Sequence, residues 1–228
     1  MLFAGEECEG GSMQDLDCQL KYWNDVGPTK PFGHPVNLER LKQYIAADSK
    51  ILDYGCGYGR VLGALWDEGY HNLLGVDPAA AMITAASERF PAISFHEITD
   101  PPRVNLADGS IDAVLLFTVL TCVPTDAGQQ AMMNEINRVL RTGGLLYISD
   151  LWLQTDARNV ERYERDQPKY GTYGVFEVAD GVTVRHHDAR WIETLTSGYE
   201  KLALDNLRLR TMNGNPANAF QWFGLKLG

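Results

Sequence analysis

Cysteine is sparse and scattered: Cys8, Cys18, Cys56 and Cys122 form no CxxC pair and no Cys/His cluster. That spacing argues against a structural zinc and against a disulfide framework, and fits reduced thiols in a cytoplasm. Positive charge is in deficit. With Lys+Arg 20 against Asp+Glu 30 the formal net charge is -10, so the overall field repels phosphate backbones and anionic lipid surfaces, and neither nucleic acid nor a membrane is expected as a partner. No apolar run reaches the length of a membrane span, and residues 1–10 have three glutamates, no Lys or Arg and too short an apolar run for a secretory leader. Internal repeats and low-complexity segments are missing too. The expectation is a cytoplasmic protein, and 228 residues suffice to bury a core without metal or disulfide support.

What is present is an alternation. Residues 1–19 are acidic, with Gly5, Gly10 and Gly11 and no apolar periodicity, which reads as a flexible tail. Leu38, Leu41 and Ile45 suggest a short amphipathic helix. Short apolar runs follow at Ile51-Leu52, Leu73–Val76, Ile93–Phe95, Ile111–Phe117 and Leu145–Ile148, each reading as a buried parallel strand. Helical faces lie between them: Val61, Leu62, Leu65 and Trp66 closed by Gly69; Met82, Ile83 and Ala86 after Pro78; and Met132, Met133, Ile136, Val139 and Leu140, with Asp126 as cap and Gly143-Gly144 as stop. Strand and helix in alternation give a doubly wound, Rossmann-like α/β sheet with helices on both faces. The rhythm breaks over 152–188, where a charged helical stretch at Leu153–Gln167 precedes a hairpin of Tyr173–Val178 and Val182–His187 about the turn Ala179-Asp180-Gly181. This is expected to be an insertion within a single domain over 20–228. A helix near Ala189–Thr196 and strands near Leu204–Arg210 and Phe220–Leu227 complete it.

A strand ending in Asp53, then Gly55, Gly57 and Gly59, then a helix, is the turn that lets a ligand approach backbone N–H groups at a helix start. Glycines also make ordinary strand-to-helix turns, so the loop alone says little. The dinucleotide fingerprint requires glycine at position 60, where this chain has Arg60, and it does not call for Asp53. A carboxylate there suits a ligand bearing an ammonium group and would repel a pyrophosphate. Asp77, 20 residues past Gly57 at the end of the second strand, sits where a carboxylate can receive both hydroxyls of a ribose. Helix capping is its ordinary alternative.

Ile51-Leu52-Asp53-x-Gly55-x-Gly57-x-Gly59-Arg60, Gly75-Val76-Asp77, Asp108-Gly109-Ser110-Ile111-Asp112-Ala113-Val114 and Arg138-Val139-Leu140-Arg141-x-Gly143-Gly144 resemble, in order, the motifs of class I S-adenosylmethionine-dependent methyltransferases. The resemblance covers roughly residues 48–150 and extends weakly to Gly198-Tyr199-Glu200. It implies seven strands, six parallel and the last antiparallel, and S-adenosyl-L-methionine as cofactor with S-adenosyl-L-homocysteine as product. It implies that Asp53, Gly55, Cys56 and Gly57 face the methionine part, Asp77 the ribose, and Pro78 or Met82 the adenine plane. Asp100, with Thr99 beside it, would meet the adenine amino group, and Phe117 and Thr118 would offer backbone atoms to the methionine end. Tyr22-Trp23 resembles an aromatic pair that folds over the cofactor in small-molecule members.

Methyl transfer is an in-line displacement at an activated carbon, so alignment and exclusion of water matter most and a general base is optional. The insertion is expected to cover a small-molecule acceptor at the C-terminal edge of the sheet, with Trp23, Trp152, Tyr170, Tyr173 and His186 as candidate acceptor contacts. His186, His187 and Tyr173 are candidates for catalysis. Adjacent residues of a strand point to opposite faces, so the two histidines cannot chelate one ion, and no metal is expected. A monomer or homodimer fits. An NAD-dependent Rossmann oxidoreductase, which would leave Asp53 and Arg60 unexplained, and a non-catalytic S-adenosylmethionine-binding scaffold stay open at this point.

Overall fold

The computed structural model describes residues 15–228. Its centre is a seven-stranded sheet in the order β3-β2-β1-β4-β5-β9-β8, built from β1 (Ile51–Tyr54), β2 (Leu73–Asp77), β3 (Ser94–Glu97), β4 (Ile111–Phe117), β5 (Leu140–Leu151), β8 (Tyr199–Arg210) and β9 (Pro216–Lys226). The first five pair in parallel, while β9 runs antiparallel to both β5 and β8. Six strands therefore share one direction and β9 opposes them, as the resemblance implied.

Alternation along the strands explains why both faces are covered. From β4 and β5, Val114, Leu116, Leu146 and Ile148 enter one apolar cluster with α6 (Asp126–Val139) and α8 (Ala189–Leu195). Their neighbours Ala113, Leu115, Leu145 and Tyr147 enter the other with α3 (Leu38–Leu41), α4 (Arg60–Asp67) and α5 (Ala80–Arg89). Each fully buried Leu or Ile contributes roughly 1.5–3 kcal/mol, so these two layers dominate the stability. In α6 the cap differs from expectation. Thr125 accepts from the Gly128 N–H with its hydroxyl, leaving Asp126 one residue inside the helix, where it pairs with Arg185. The helix ends at Val139, and Gly143-Gly144 lie within β5. There the chain has already turned into a long strand.

The insertion contains α7 (Ala157–Tyr170) and a separate two-stranded sheet of β6 (Val175–Glu177) and β7 (Thr183–Arg185), with Val175 opposite Arg185. It is stitched to the core by His187 N–H to Leu151 O (3.0 Å) and Thr121 Oγ1 to Arg185 O (2.7 Å).

The N-terminal segment is more ordered than its composition suggested. Residues 1–14 of the expected tail, with Cys8, lie outside the described residues, but α1 (Asp15–Cys18) and α2 (Leu20–Asp25) are formed. Asp17 is buried and accepts from both the N–H (2.9 Å) and the hydroxyl (2.7 Å) of Thr125. Gln19 exchanges two 2.7 Å bonds with the backbone of Thr183. These bonds satisfy polar groups that an acidic tail would leave to water, so the segment docks at its 15–19 end.

Candidate active site

β1 and β4 lie side by side, and the connections that follow them leave toward opposite faces, which opens a crevice at their carboxyl ends. After β1 the turn is pinned by Gly55 N–H and Cys56 N–H, both donating to Val76 O (2.8 and 3.0 Å). Gly55 has φ +73°, and a Cβ there would lie 2.5 Å from Val119 Cγ2. Gly57, at φ +53°, faces open space, its nearest neighbour being Phe32 at 3.8 Å from an added Cβ. Thus Gly55 is required by packing, whereas Gly57 keeps a cradle clear.

Asp77 holds that loop by accepting from Gly57 N–H with Oδ2 and from Ala79 N–H with Oδ1, both at 2.9 Å. Capping and ligand binding are compatible here, because each oxygen retains acceptor capacity. Burial pushes its carboxyl up to about 6, against the pull of those two N–H groups. Asp53 differs. It is 1% exposed, and among the described residues neither carboxylate oxygen has a hydrogen-bond partner. Burial pushes it up to about 8, with Arg60 pulling down and Asp77 adding to the rise. An uncompensated buried carboxyl calls for a cationic or donor group to be brought to it.

The cleft over this turn measures about 900 Å³, open solvent at its mouth included, and Asp53, Gly55, Cys56, Gly57, Asp77, Pro78, Met82, Phe117 and Thr118 all line it. Three expected members do not. Tyr22, Thr99 and Asp100 border an adjoining outer groove. Tyr22 is drawn away because its hydroxyl donates to Asp180 Oδ2 (3.2 Å) on the hairpin turn, which also pairs with Lys30. Thr99 and Asp100 are exposed, and Pro101 takes the place at the cleft wall. Asp17, Tyr58 and Arg60 line the cleft without having been singled out for it.

A second chamber of about 720 Å³, again with the open solvent at its mouth included, abuts the first, and the two share Trp23, Phe32, Thr118 and Cys122. Thr118 has φ +60°, a strained conformation for a β-branched residue. It is held by its N–H to Ser149 O (2.8 Å), and its carbonyl accepts from Cys122 Sγ (3.1 Å). Burial raises the Cys122 thiol well above its usual range, so it is no thiolate.

Of the candidate acceptor contacts, Trp23 and His186 line the chamber. Trp152, Tyr170 and Tyr173 do not. Trp152 stacks on Phe220 at 4.0 Å and donates to Asn206, Tyr170 bonds the Thr183 hydroxyl at 3.2 Å, and Tyr173 packs edge-on against Tyr163 with 38% of its surface exposed. His187 also turns away, as strand alternation required. Its Nε2 lies 2.9 Å from Gln129 Nε2, and its Nδ1 stands 3.7 Å from Asp150 Oδ1. Burial pushes His187 well down, so its imidazole is neutral and forms no ion pair with Asp150, whose carboxyl burial pushes up to about 7.

His34 was missed. It lines the chamber, its Nδ1 lies 2.9 Å from Ser149 Oγ, and burial with nearby Arg60 pushes it down to about 3. His186 sits beside the Tyr163 hydroxyl and is likewise pushed to about 3 by burial, then by Arg162 and Arg158. Both imidazoles are neutral at pH 7. The loop 211–215 between β8 and β9, whose Thr211 N–H donates to Asn215 O (2.8 Å), closes another wall. Its Asn213-Gly214 pair favours a turn, but nothing local says where that turn folds. Among the described residues no group of His, Cys, Asp and Glu could hold a metal ion, and no helix is long and apolar enough to cross a membrane.

The sequence profile of the family described as methyltransferase domain matches residues 52–148. Residues 52–148 form a class I S-adenosylmethionine-dependent methyltransferase domain. This domain supplies the glycine turn, Asp77 and the Phe117–Thr118 corner. Over 156 residues the chain is 29% identical to the ubiquinone/menaquinone biosynthesis C-methyltransferase UbiE of Campylobacter jejuni, covering 60% of this chain and 64% of that one. Over 136 residues it is 32% identical to an arsenite methyltransferase of Aquipseudomonas alcaligenes, covering 54% of this chain and 38% of that protein. The chain thus spans less than two thirds of the length of either relative. A solved structure of a SAM-dependent methyltransferase from Methanosarcina mazei superposes with a TM-score of 0.77 at 23% identity, covering 82% of this chain and 97% of that one. At that identity the likeness is one of fold.

The methyltransferase domain's own residues fit the cofactor of its class. Asp53 offers two partnerless buried oxygens to an ammonium group, Gly57 leaves the cradle clear, and Asp77 retains acceptor capacity for a ribose. Pro78 and Met82 supply an apolar wall.

Proposed function

We propose that the protein transfers a methyl group from S-adenosylmethionine to a small-molecule acceptor held in the second chamber. The observation that carries this reading is the junction of the two cavities at Trp23, Phe32, Thr118 and Cys122. When bound, the cofactor supplies a methyl group already activated by a sulfonium, so the chain's task is alignment. Asp53 and the glycine turn fix one end of the donor, and Asp77 fixes the ribose. Thr118, locked in its strained conformation, sets the wall where the cavities meet, and the aromatic faces of Trp23 and Phe32 favour a cationic sulfur there. The insertion and the loop 211–215 exclude water on the acceptor side.

His34 and His186 line the acceptor chamber in neutral form, so each is suited to accept a hydrogen bond from a hydroxyl or amine rather than to hold charge. His187 and Tyr173 lie outside that space, which leaves His186 as the sequence candidate best placed to act. The net charge of -10 opposes nucleic acid as the acceptor, and the two named relatives act on different acceptors, so the chamber itself is the better guide.

Calorimetric titration with S-adenosylhomocysteine tests the donor half: binding is expected, and binding of NAD with none of S-adenosylhomocysteine would refute it. For the acceptor half, His34→Asn and His186→Asn are each expected to slow turnover at saturating cofactor. Unchanged rates in both would remove the histidines from the mechanism.

A further inference from the structure

The acceptor chamber has an unusual charge for a protein this acidic. Among the described residues its wall contains Arg158, Arg162 and Arg210 and no Asp or Glu, against a chain total of 30 acids to 20 bases. Arg158 and Arg162 are one helical turn apart on α7, so their side chains emerge on one face. Among the described residues neither has a carboxylate within ion-pair distance, although Arg165 on the same helix pairs with Asp166 at 2.7 Å. The guanidinium of Arg162 lies 3.8 Å over the ring of Phe176, donates to Asn159, and keeps a buried Nε with no partner among the described residues. Two neighbouring cations repel each other, and a buried donor without an acceptor is costly. A solvated surface pair would show neither the buried Nε nor the aromatic platform.

We propose that the methyl acceptor carries an oxyanion, a carboxylate or a phosphate monoester, seated against Arg158 and Arg162 at the end of an otherwise largely apolar chamber. This rests on the reading of that chamber as the acceptor site. A planar guanidinium fixed on Phe176 presents its free Nε to an oxyanion with little loss of freedom, while Arg158, exposed at the rim, adds the second positive charge. Trp23, Phe32, Phe176, Val184 and Met212 provide the apolar surround. The acceptor is therefore a small amphiphile, apolar in body and anionic at one end. His186, next to this seat, is held neutral partly by the same two arginines. An arriving anion relieves that effect and makes the imidazole a stronger proton acceptor only when the acceptor is in place.

The test uses the full chain saturated with S-adenosylhomocysteine and a matched set of small carboxylic acids, their primary amides and the corresponding phosphate monoesters, read by ligand-observed NMR and calorimetry. The acids or the phosphates, or both, are expected to bind at least about tenfold more tightly than the amides, and the tighter arm identifies the oxyanion. Arg158→Gln, which is exposed and safe for folding, should weaken anion binding about two- to fivefold, and Arg162→Gln about 10–100-fold. S-adenosylhomocysteine affinity and the melting temperature of Arg158→Gln should stay unchanged. Amides binding as well as acids, anion binding indifferent to both variants, or no binding by any member would each overturn the proposal. Loss of S-adenosylhomocysteine binding by the unmodified protein would instead overturn the methyl-transfer reading beneath it.

Discussion

Binding of S-adenosylhomocysteine at pH 7 should release close to one proton, and Asp53 is the reason. Its carboxyl is pushed up to about 8 by burial, and among the described residues no group bonds either oxygen. At pH 7 about nine-tenths of it is therefore protonated in the free protein. An ammonium group brought against it restores the charged form, and about 0.9 proton leaves per site. Asp77, raised only to about 6, is already about nine-tenths ionised and adds about 0.1. Because the folded value lies above the usual 3.8, the contribution of Asp53 is full below that value and is lost as pH rises through about 8, so the free protein is burdened at neutral pH and the ligand removes the burden. Calorimetry in two buffers of different ionisation heat, phosphate and Tris, gives the proton count from the slope. Asp53→Asn should abolish the release and weaken binding about 10–100-fold, the worth of a charge-assisted bond. A zero slope in the unmodified protein, or an undiminished one in the variant, would refute the assignment.

Exchange of Gly57 for Ala should weaken S-adenosylhomocysteine binding tenfold or more, since the new methyl enters the cradle, at a stability cost of about 1–2 kcal/mol for its left-handed backbone. Gly55→Ala should instead cost about 2–4 kcal/mol in chemical denaturation, because its methyl meets Val119. Asp17→Ala should destabilise by about 1–3 kcal/mol through the two bonds lost at Thr125; an unchanged midpoint would mean that the segment is not docked. His186, lowered to about 3, contributes stability that is full above 6.5 and is lost as pH falls toward 3. The stability difference between the unmodified protein and His186→Gln should therefore shrink by up to about 1.4 kcal/mol per pH unit between pH 6 and 4, measured by denaturant titration.

The sheet was legible because buried parallel strands read as short apolar runs, and the glycine turn with Asp53 was legible because its residues sit in one continuous stretch at a strand-to-helix junction. The chamber proposed for the acceptor was not. His34, Arg162 and Arg210 come from three distant segments that only the fold brings together, and an i,i+4 arginine pair on a charged helix reads as a solvated face. Aromatic composition of the insertion was a poor guide for a related reason. Tyr163 and Phe176 form a satellite core under the hairpin, and Trp152 stacks on β9, yet nothing local separates such residues from lining ones. The docking of Asp17 and Gln19 was hidden because single polar anchors leave no periodic trace.

The central claim is methyl transfer to a small molecule, and one labelling experiment meets it directly. The protein is incubated with methyl-labelled S-adenosylmethionine and a cell extract separated into small-molecule, protein and nucleic-acid fractions, with Asp53→Asn as the control. Label should enter the small-molecule fraction only, and only with the unmodified protein. Label confined to macromolecules, or equal to that of the control, would contradict the account.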